Sequence, residues 1–472
     1  MTSLTFLSAT EVAAAIRRGE VSPVEVARAH LERIERLNPR LNAFVDYQPE
    51  AVLAQARAAE AAIVRGDEVG PLHGVPFSIK SSIDVEGHRC ESGSRLRAGY
   101  VAASDAPLVA RLRAAGALIL GVTNTPELLM AWETDNLLYG RTNNPWDLTR
   151  TAGGSSGGEA AAIAAGLSAG GVGSDGGGSI RVPAHFCGIC GLKPTPGLIP
   201  STGHYPKAGG PFALIGVVGP MARTVQDVRT LLRVIAGRDD GDPCAAPVEM
   251  QPIDEEVVRT INVGFFEDDG RTPVTRETRA AVQRAASILS GCGLHVDPFR
   301  PRGLEEAREL WWEFFGRAGG MILEPMLRGC ESQLSPILRE FMGWTRAGAA
   351  HTGETLLAAW LERDALREKI LVQMRKYPVL ICPAAAIPAF HHGEREWQIE
   401  GATVRYLDAW SYCEWFNLLG FPAAVLPMGR SDEGLPIGVQ IVGRPWEEEL
   451  VLAIAALLEK ELGVWRAPPL VD

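Results

Sequence analysis

Residues 153–181 read GGSSGGEAAAIAAGLSAGGVGSDGGGSIR. Two glycine clusters, each carrying serine, flank an Ala-rich run. EAAAIAAGLSAG (159–170) has the composition of a helix, and VGS (172–174) that of a brief strand. A helix of about 12 residues followed by a short strand turns the chain back toward its start. Ser155 and Ser179, 24 residues apart, can then meet in space. Few packings satisfy that geometry, and strands alternating with helices elsewhere in the chain agree with an α/β core.

Glycine clusters of this kind have three readings. A phosphate cradle is one. Neither cluster has the lysine that follows the glycines of a Walker-type loop. Gly171-Val172-Gly173 begins a dinucleotide fingerprint and does not complete it. Structural turns are a second reading, since glycine accepts positive φ. The third is a nest of backbone N–H groups. Gly176-Gly177-Gly178 would present bare donors to an oxyanion formed when the Ser179 hydroxyl attacks a carbonyl.

A serine nucleophile needs a base. Composition helps here. The chain has 46 Lys plus Arg, and only six are lysine, at 80, 193, 207, 369, 376 and 460. Lys80 ends the stretch GVPFSIK, where Val75, Phe77 and Ile79 alternate with Pro76, Ser78 and Lys80 as in a short strand. That pattern places Lys80 on the face opposite the apolar side chains. Unlike arginine, a buried lysine can shed its proton and act as a base. An exposed charge at a strand end is the plainer reading. Among the nine histidines, His185 is nearest to Ser179, and its apolar setting VPAHFC reads as core. Cys187 and Cys190 have CxxC spacing without a redox or second-ligand context, and read as buried small side chains.

These residues and their flanks resemble the amidase signature hydrolases. The stretch 153–195 looks like nearly the whole signature. GVPFSIK (74–80), YGRTNNPWDLTRTAGG (139–154), GPMART (219–224), NLLGFPAAVLPMG (417–429) and GLPIGVQIVG (434–443) are similar too. The resemblance runs from about residue 5 to 465 and is weakest over 245–375. It implies a large central mixed β-sheet covered by helices on both faces. It also implies a Ser–cis-Ser–Lys triad with Ser179 as nucleophile, Ser155 as bridging serine and Lys80 as base. The cis bond would precede Ser155, and the oxyanion donors would be the N–H groups of Gly176, Gly177, Gly178 and Ser179. Asp175, Ser156 and Arg181 would support the loop. Leu129, Met130 and Trp132 would line the acyl pocket, although core packing suits them equally. No cofactor or metal is implied. Two departures stand out. Many members have Asp where this chain has Ser81, and Thr where it has Gly176.

The chain is expected to form one domain. Helices occupy 1–65, the signature core 70–235, a mainly helical peripheral or cap region 245–375, and a return to the core sheet 376–472. The Trp and Phe of LEEARELWWEFF (304–315) read as core packing. A net charge of −11 argues against nucleic acid as a partner. No apolar run reaches a membrane span, no targeting segment opens the chain, and the expectation is a cytoplasmic monomer or homodimer. The expected substrate is a small amide, with ester or carbamate hydrolysis beside it. GLKPTPGLIPSTGHYP (191–206) lacks the Tyr-Gly step that usually follows in the A-type component of tRNA-dependent amidotransferases, which favours a stand-alone hydrolase. An A-type component releasing ammonia from glutamine with partner chains is the alternative, and a non-catalytic binding protein the third.

Overall fold

The computed structural model describes residues 4–207, 209–347, 352–463 and 465–469. The expected terminal segments, the signature core and the cap region each include a few positions outside that description. Eleven strands form one mixed sheet. In chain order they are β1 (Phe44–Tyr47), β2 (Pro76–Lys80), β3 (Leu118–Thr123), β4 (Gly170–Asp175), β5 (Cys190–Lys193) and β6 (Val217–Ala222). They continue with β7 (Asn262–Phe265), β8 (His295–Pro298), β9 (Val379–Pro383), β10 (Ala423–Arg430) and β11 (Pro436–Val442). Across the sheet the order is β1-β3-β2-β4-β6-β5-β10-β11-β9-β7-β8. β2 runs parallel to β3 and β4. From β4 through β6, β5, β10 and β11 to β9 the neighbours are antiparallel, and β9, β7 and β8 are parallel again.

Helices cover both faces, and β3 shows how. Ile119 and Val122 point into one apolar core with the helices Ala9–Arg17, Pro107–Ala114, Val225–Ile235 and Glu448–Leu462. Leu118 and Leu120 point into another with Pro23–Leu41, Pro49–Arg65 and Gly157–Ala164. Alternation across the pleat separates Leu118 and Leu120 from Ile119, and the shift of register against β2 between Ile119 and Gly121 brings Val122 to the face of Ile119. Ser8 and Ser22 form the capping boxes with Glu11 and Glu25 that their spacing predicts, and Pro23 opens its helix.

The stretch between the glycine clusters differs from expectation. The helix predicted to 170 ends at Ala164, Gly166 turns the chain at φ +69°, and β4 already begins at Gly170. The glycines there serve close approach within a strand: a Cβ on Gly171 would overlap the Ser78 carbonyl and the Glu159 carboxylate. The region 245–375 contributes β7 and β8 to the sheet beside its helices. Its helices do gather into a wall. Ala307–Trp311 passes through a π-helical turn, Trp312–Ala318, into Gly319–Leu327. Such turns shift the side-chain register and recur at functional sites.

Candidate active site

β2 delivers Lys80. Phe77 and Ile79 enter the apolar core, while Ser78 and Lys80 face the segment that starts the helix Gly157–Ala164. Lys80 is fully buried. Its Nζ lies 2.6 Å from Ser155 Oγ and 3.0 Å from both Ser156 Oγ and Ser174 Oγ. Burial pushes its pKa well below the usual lysine value, against the opposing pull of the Asp175 and Glu159 carboxylates. Glu159 is itself pushed up to about 7 by burial, although Ser78 and Thr123 donate to it.

The peptide bond between Gly154 and Ser155 is cis. Thr125 Oγ1 donates to the Ser155 carbonyl at 2.7 Å. The Ser156 N–H donates to the Ser179 carbonyl at 3.1 Å, which ties the two serine loops together. Within 171–180 only Gly176 and Ser179 keep some solvent exposure. The candidate nucleophile is thus reachable while its supports are not.

Asp175 organises the glycine loop. Burial disfavours its charge, yet Arg181 at 3.0 Å and the N–H groups of Ile180 and Gly178 hold its pKa well below the usual carboxylate range. Asn417 and Gln440 complete the pocket of the fully buried Arg181. Gly178 is therefore not the donor the sequence suggested. Its N–H donates to Asp175 Oδ1 at 2.7 Å, which leaves the N–H groups of Gly176, Gly177 and Ser179 for an oxyanion.

Two tryptophans orient this loop. Trp311 Nε1 donates to the Gly176 carbonyl and Trp132 Nε1 to the Gly177 carbonyl, each at 2.8 Å. In a planar trans peptide, C=O and N–H point opposite ways. Trp311 therefore turns the Gly177 N–H away from itself, and Trp132 turns the Gly178 N–H toward Asp175. The aromatics also explain the missing side chains. A Cβ on Gly176 would sit 2.8 Å from Phe315 Cε2, and one on Gly177 2.5 Å from Trp311 Cζ2. Gly178 has φ +108°, which only glycine adopts readily.

A cavity of about 80 Å³ opens beside Ser155, Ser179 and Gly176. Leu129, Met130, Phe212, Phe315 and Leu323 give it apolar walls. Leu129 and Met130 are thus on a cavity wall. Trp132 instead lies buried behind the glycine loop. Leu128 and Leu129 both have positive φ, at 49° and 69°, a costly conformation for leucine. Leu128 and Met130 pack on Leu323, Leu338 and Phe341, so the cap helices hold this turn in place. The aromatics of 304–315 are consequently more than core filling: Phe315 faces the cavity and stacks on Trp311 at 4.6 Å.

Other candidates fall away from the site. His185 is buried, donates from Nε2 to the Ile387 carbonyl and accepts the Gly438 N–H at Nδ1. Burial lowers its pKa to about 4. Burial pushes the thiols of Cys187 and Cys190 up, and the two face different cores. Among the described residues no group of His, Cys, Asp and Glu converges as a metal site. Nor is any described helix long and apolar enough to cross a membrane. Sequence reasoning passed over Trp311, Phe315 and His204, all of which touch the loop or the cavity.

Known proteins share this arrangement of chain. The family model described as Amidase matches residues 25–452. The chain is 35% identical over 469 residues to an indoleacetamide hydrolase of Bradyrhizobium diazoefficiens, covering 97% of this chain and 87% of that protein. It is also 35% identical over 463 residues to an acylamidase of Rhodococcus erythropolis, covering 97% and 96%. A glutamyl-tRNA(Gln) amidotransferase component of the A type, from a Synechococcus strain, is 35% identical over 485 residues, with coverage of 96% and 91%. The fold superposes on a bacterial aryl acylamidase of the amidase signature enzymes with a TM-score of 0.85, 27% identity and 96% coverage of both chains.

Proposed function

The chain belongs to the amidase signature family, and on that premise we propose a stand-alone amide hydrolase that works through Ser179, Ser155 and Lys80. The observation that carries this reading is the 2.6 Å contact of buried Lys80 Nζ with Ser155 Oγ, at the edge of a cavity shared with Ser179. A neutral amine has two N–H groups and one lone pair. Ser156 Oγ and Ser174 Oγ, both at 3.0 Å, accept the two N–H groups. The lone pair then faces Ser155 Oγ.

The proposed proton path starts from that contact. Lys80 Nζ takes the Ser155 proton, and Ser155 Oγ takes the Ser179 proton. Ser179 Oγ bonds to the substrate carbonyl carbon, and the displaced electron pair settles on oxygen. The N–H groups of Gly176, Gly177 and Ser179 receive that oxyanion, each such donor being worth about 3 kcal/mol. The relay then runs in reverse: Lys80 ammonium reprotonates Ser155, Ser155 protonates the leaving nitrogen, and the C–N bond breaks. Water repeats the sequence on the acyl-enzyme and frees the acid. An ester or a carbamate offers the same carbonyl to the same relay.

Apolar walls favour a hydrolase of apolar-substituted amides over one for glutamine. A glutamine substrate would need partners for its ammonium and carboxylate; Lys207 on the cavity wall could meet the carboxylate, but the Asp175 carboxylate, which could meet the ammonium, is already engaged by Arg181. The amidotransferase reading retains the support of the Synechococcus relative. Purified chain alone should be assayed on anilides, primary amides, aryl esters, aryl carbamates and glutamine. Turnover of an amide by the chain alone is expected. Turnover of glutamine only, and only with added partner chains, would overturn the stand-alone reading.

A further inference from the structure

A second buried acid lies behind Lys80, and the mechanism leaves it unused. Glu159, on the helix Gly157–Ala164, is fully buried, and among the described residues only hydroxyls hold its carboxyl. Thr123 Oγ1 donates to Oε2 at 2.7 Å, and Ser78 Oγ touches Oε1. Ser78 precedes Lys80 by two residues on the same face of β2, about 7 Å of strand. Thr123 is the residue of β3 registered against Lys80. From β4, a Cβ on Gly171 would meet Oε1 at 1.8 Å, so the carboxyl is closed in on that side too. Ser78 Oγ also lies 2.9 Å from Ser168 Oγ. Its one hydrogen serves a carboxylate, or turns to Ser168 when the protonated acid donates to Ser78. Both protonation states therefore keep their hydrogen bonds.

Other charges near the two groups are already engaged. Asp175 of β4 is paired with Arg181. Asp46 of β1 faces His88, and His185 binds backbone groups. Arg223, just after β6, donates to the carbonyls of Ile163 and Ser168. His204 faces Lys80, and burial lowers its pKa to about 4, which leaves it neutral at pH 7. Among the described residues, Glu159 is thus the one unengaged carboxyl acting on Lys80. The carboxylate pulls the Lys80 pKa up and the ammonium pulls that of Glu159 down, each against its own burial.

We propose that Glu159 is a positioning residue of the relay: by holding or releasing its own proton it sets how tightly Lys80 holds one, and so sets the pH at which amide hydrolysis begins. The proposal rests on the hydrolytic reading above, in which Lys80 must be neutral to accept the Ser155 proton. An ionised Glu159 favours the ammonium form, so it delays the onset of activity as pH rises. It also makes the neutral amine a stronger base once that form is reached. A carboxyl kept neutral does the reverse on both counts.

The test is the pH profile of kcat/KM on an anilide. Glu159→Gln keeps the shape of the side chain and removes its charge. Its acid limb should move to lower pH by about one unit, and its plateau should fall about threefold as the base weakens. Thr123→Val removes a donor that favours the ionised carboxyl, so its limb should move the same way by less. A role in packing alone would lower the rate equally at every pH and leave the limb where it is. A limb in Glu159→Gln that stays in place or moves upward would overturn the assignment of Glu159 and leave the relay standing. Should that variant not fold, the limb of Thr123→Val decides on the same terms. A wild-type amide profile with no acid limb, or a limb that survives in Lys80→Ala, would overturn the relay itself.

Discussion

The cavity has a floor and a wall, built by different physics. The floor joins Lys80, Ser155, Ser156, Ser174, Asp175 and Arg181, all within about a hundred residues of chain, all buried and hydrogen-bonded. The wall joins Leu129, Phe212, Phe315, Ile322 and Leu323 from separate segments, and Ile322 is 48% exposed. A buried polar network permits one arrangement, because each unpaired group is costly. An apolar wall is held by dispersion and area alone, and tolerates other shapes. On the proposed mechanism the floor carries the reaction and the wall selects the substrate. They meet at the glycine triplet, where Phe315 rests on Gly176 and Trp311 on Gly177.

The largest effect should come from the floor. Lys80→Ala should lower amide hydrolysis about 10³- to 10⁴-fold and ester hydrolysis less, because only the amine must be protonated to leave. In the proposed relay Lys80 acts as the neutral amine, and burial holds its pKa below the usual lysine value. Falling pH protonates Nζ and removes the base, so the amide rate should climb with pH and level off above that pKa. In Lys80→Ala this acid limb should vanish from the pH profile. Equal loss on amide and ester would break the relay.

At the junction, Trp311→Phe keeps an aromatic ring, though a smaller one, and deletes the Nε1 donor to the Gly176 carbonyl. The expected outcome is a kcat about tenfold lower with KM little changed, since the Gly177 N–H would lose its fixed aim. A change confined to KM would make Trp311 part of the wall only.

The smallest effects belong to the wall. Gly176→Ala puts a Cβ 2.8 Å from Phe315 Cε2 and should cost about tenfold. Phe315→Ala should enlarge the acyl space and shift relative kcat/KM toward bulkier acyl groups by a few-fold, about the worth of one or two methylenes. The double variant should exceed Gly176→Ala in activity, a coupling measured by a double-mutant cycle. Additive losses would separate the two residues.

The same division decides what is legible in the sequence. Alternation in GVPFSIK and the scarcity of lysine isolate Lys80, and the glycine clusters isolate Ser155 and Ser179. All three lie on locally patterned chain. β1 and β5 escape such reading, being four residues each and specified by distant partners rather than by period. Gly178 does carry a signal against its expected role: an aspartate three residues earlier can accept a loop N–H, and Asp175 does. Trp311 and His204 carry none. WW in an amphipathic helix reads as core, and only the fold brings Trp311 to a loop 135 residues away.

Identifying the nucleophile tests the Ser179–Ser155–Lys80 relay most directly. The protein should be treated briefly with a fluorophosphonate and the labelled peptide located by mass spectrometry. One adduct on Ser179 is expected, slower to form in Lys80→Ala and absent in Ser179→Ala. An adduct on Ser155, or undiminished labelling of Ser179→Ala, would contradict it.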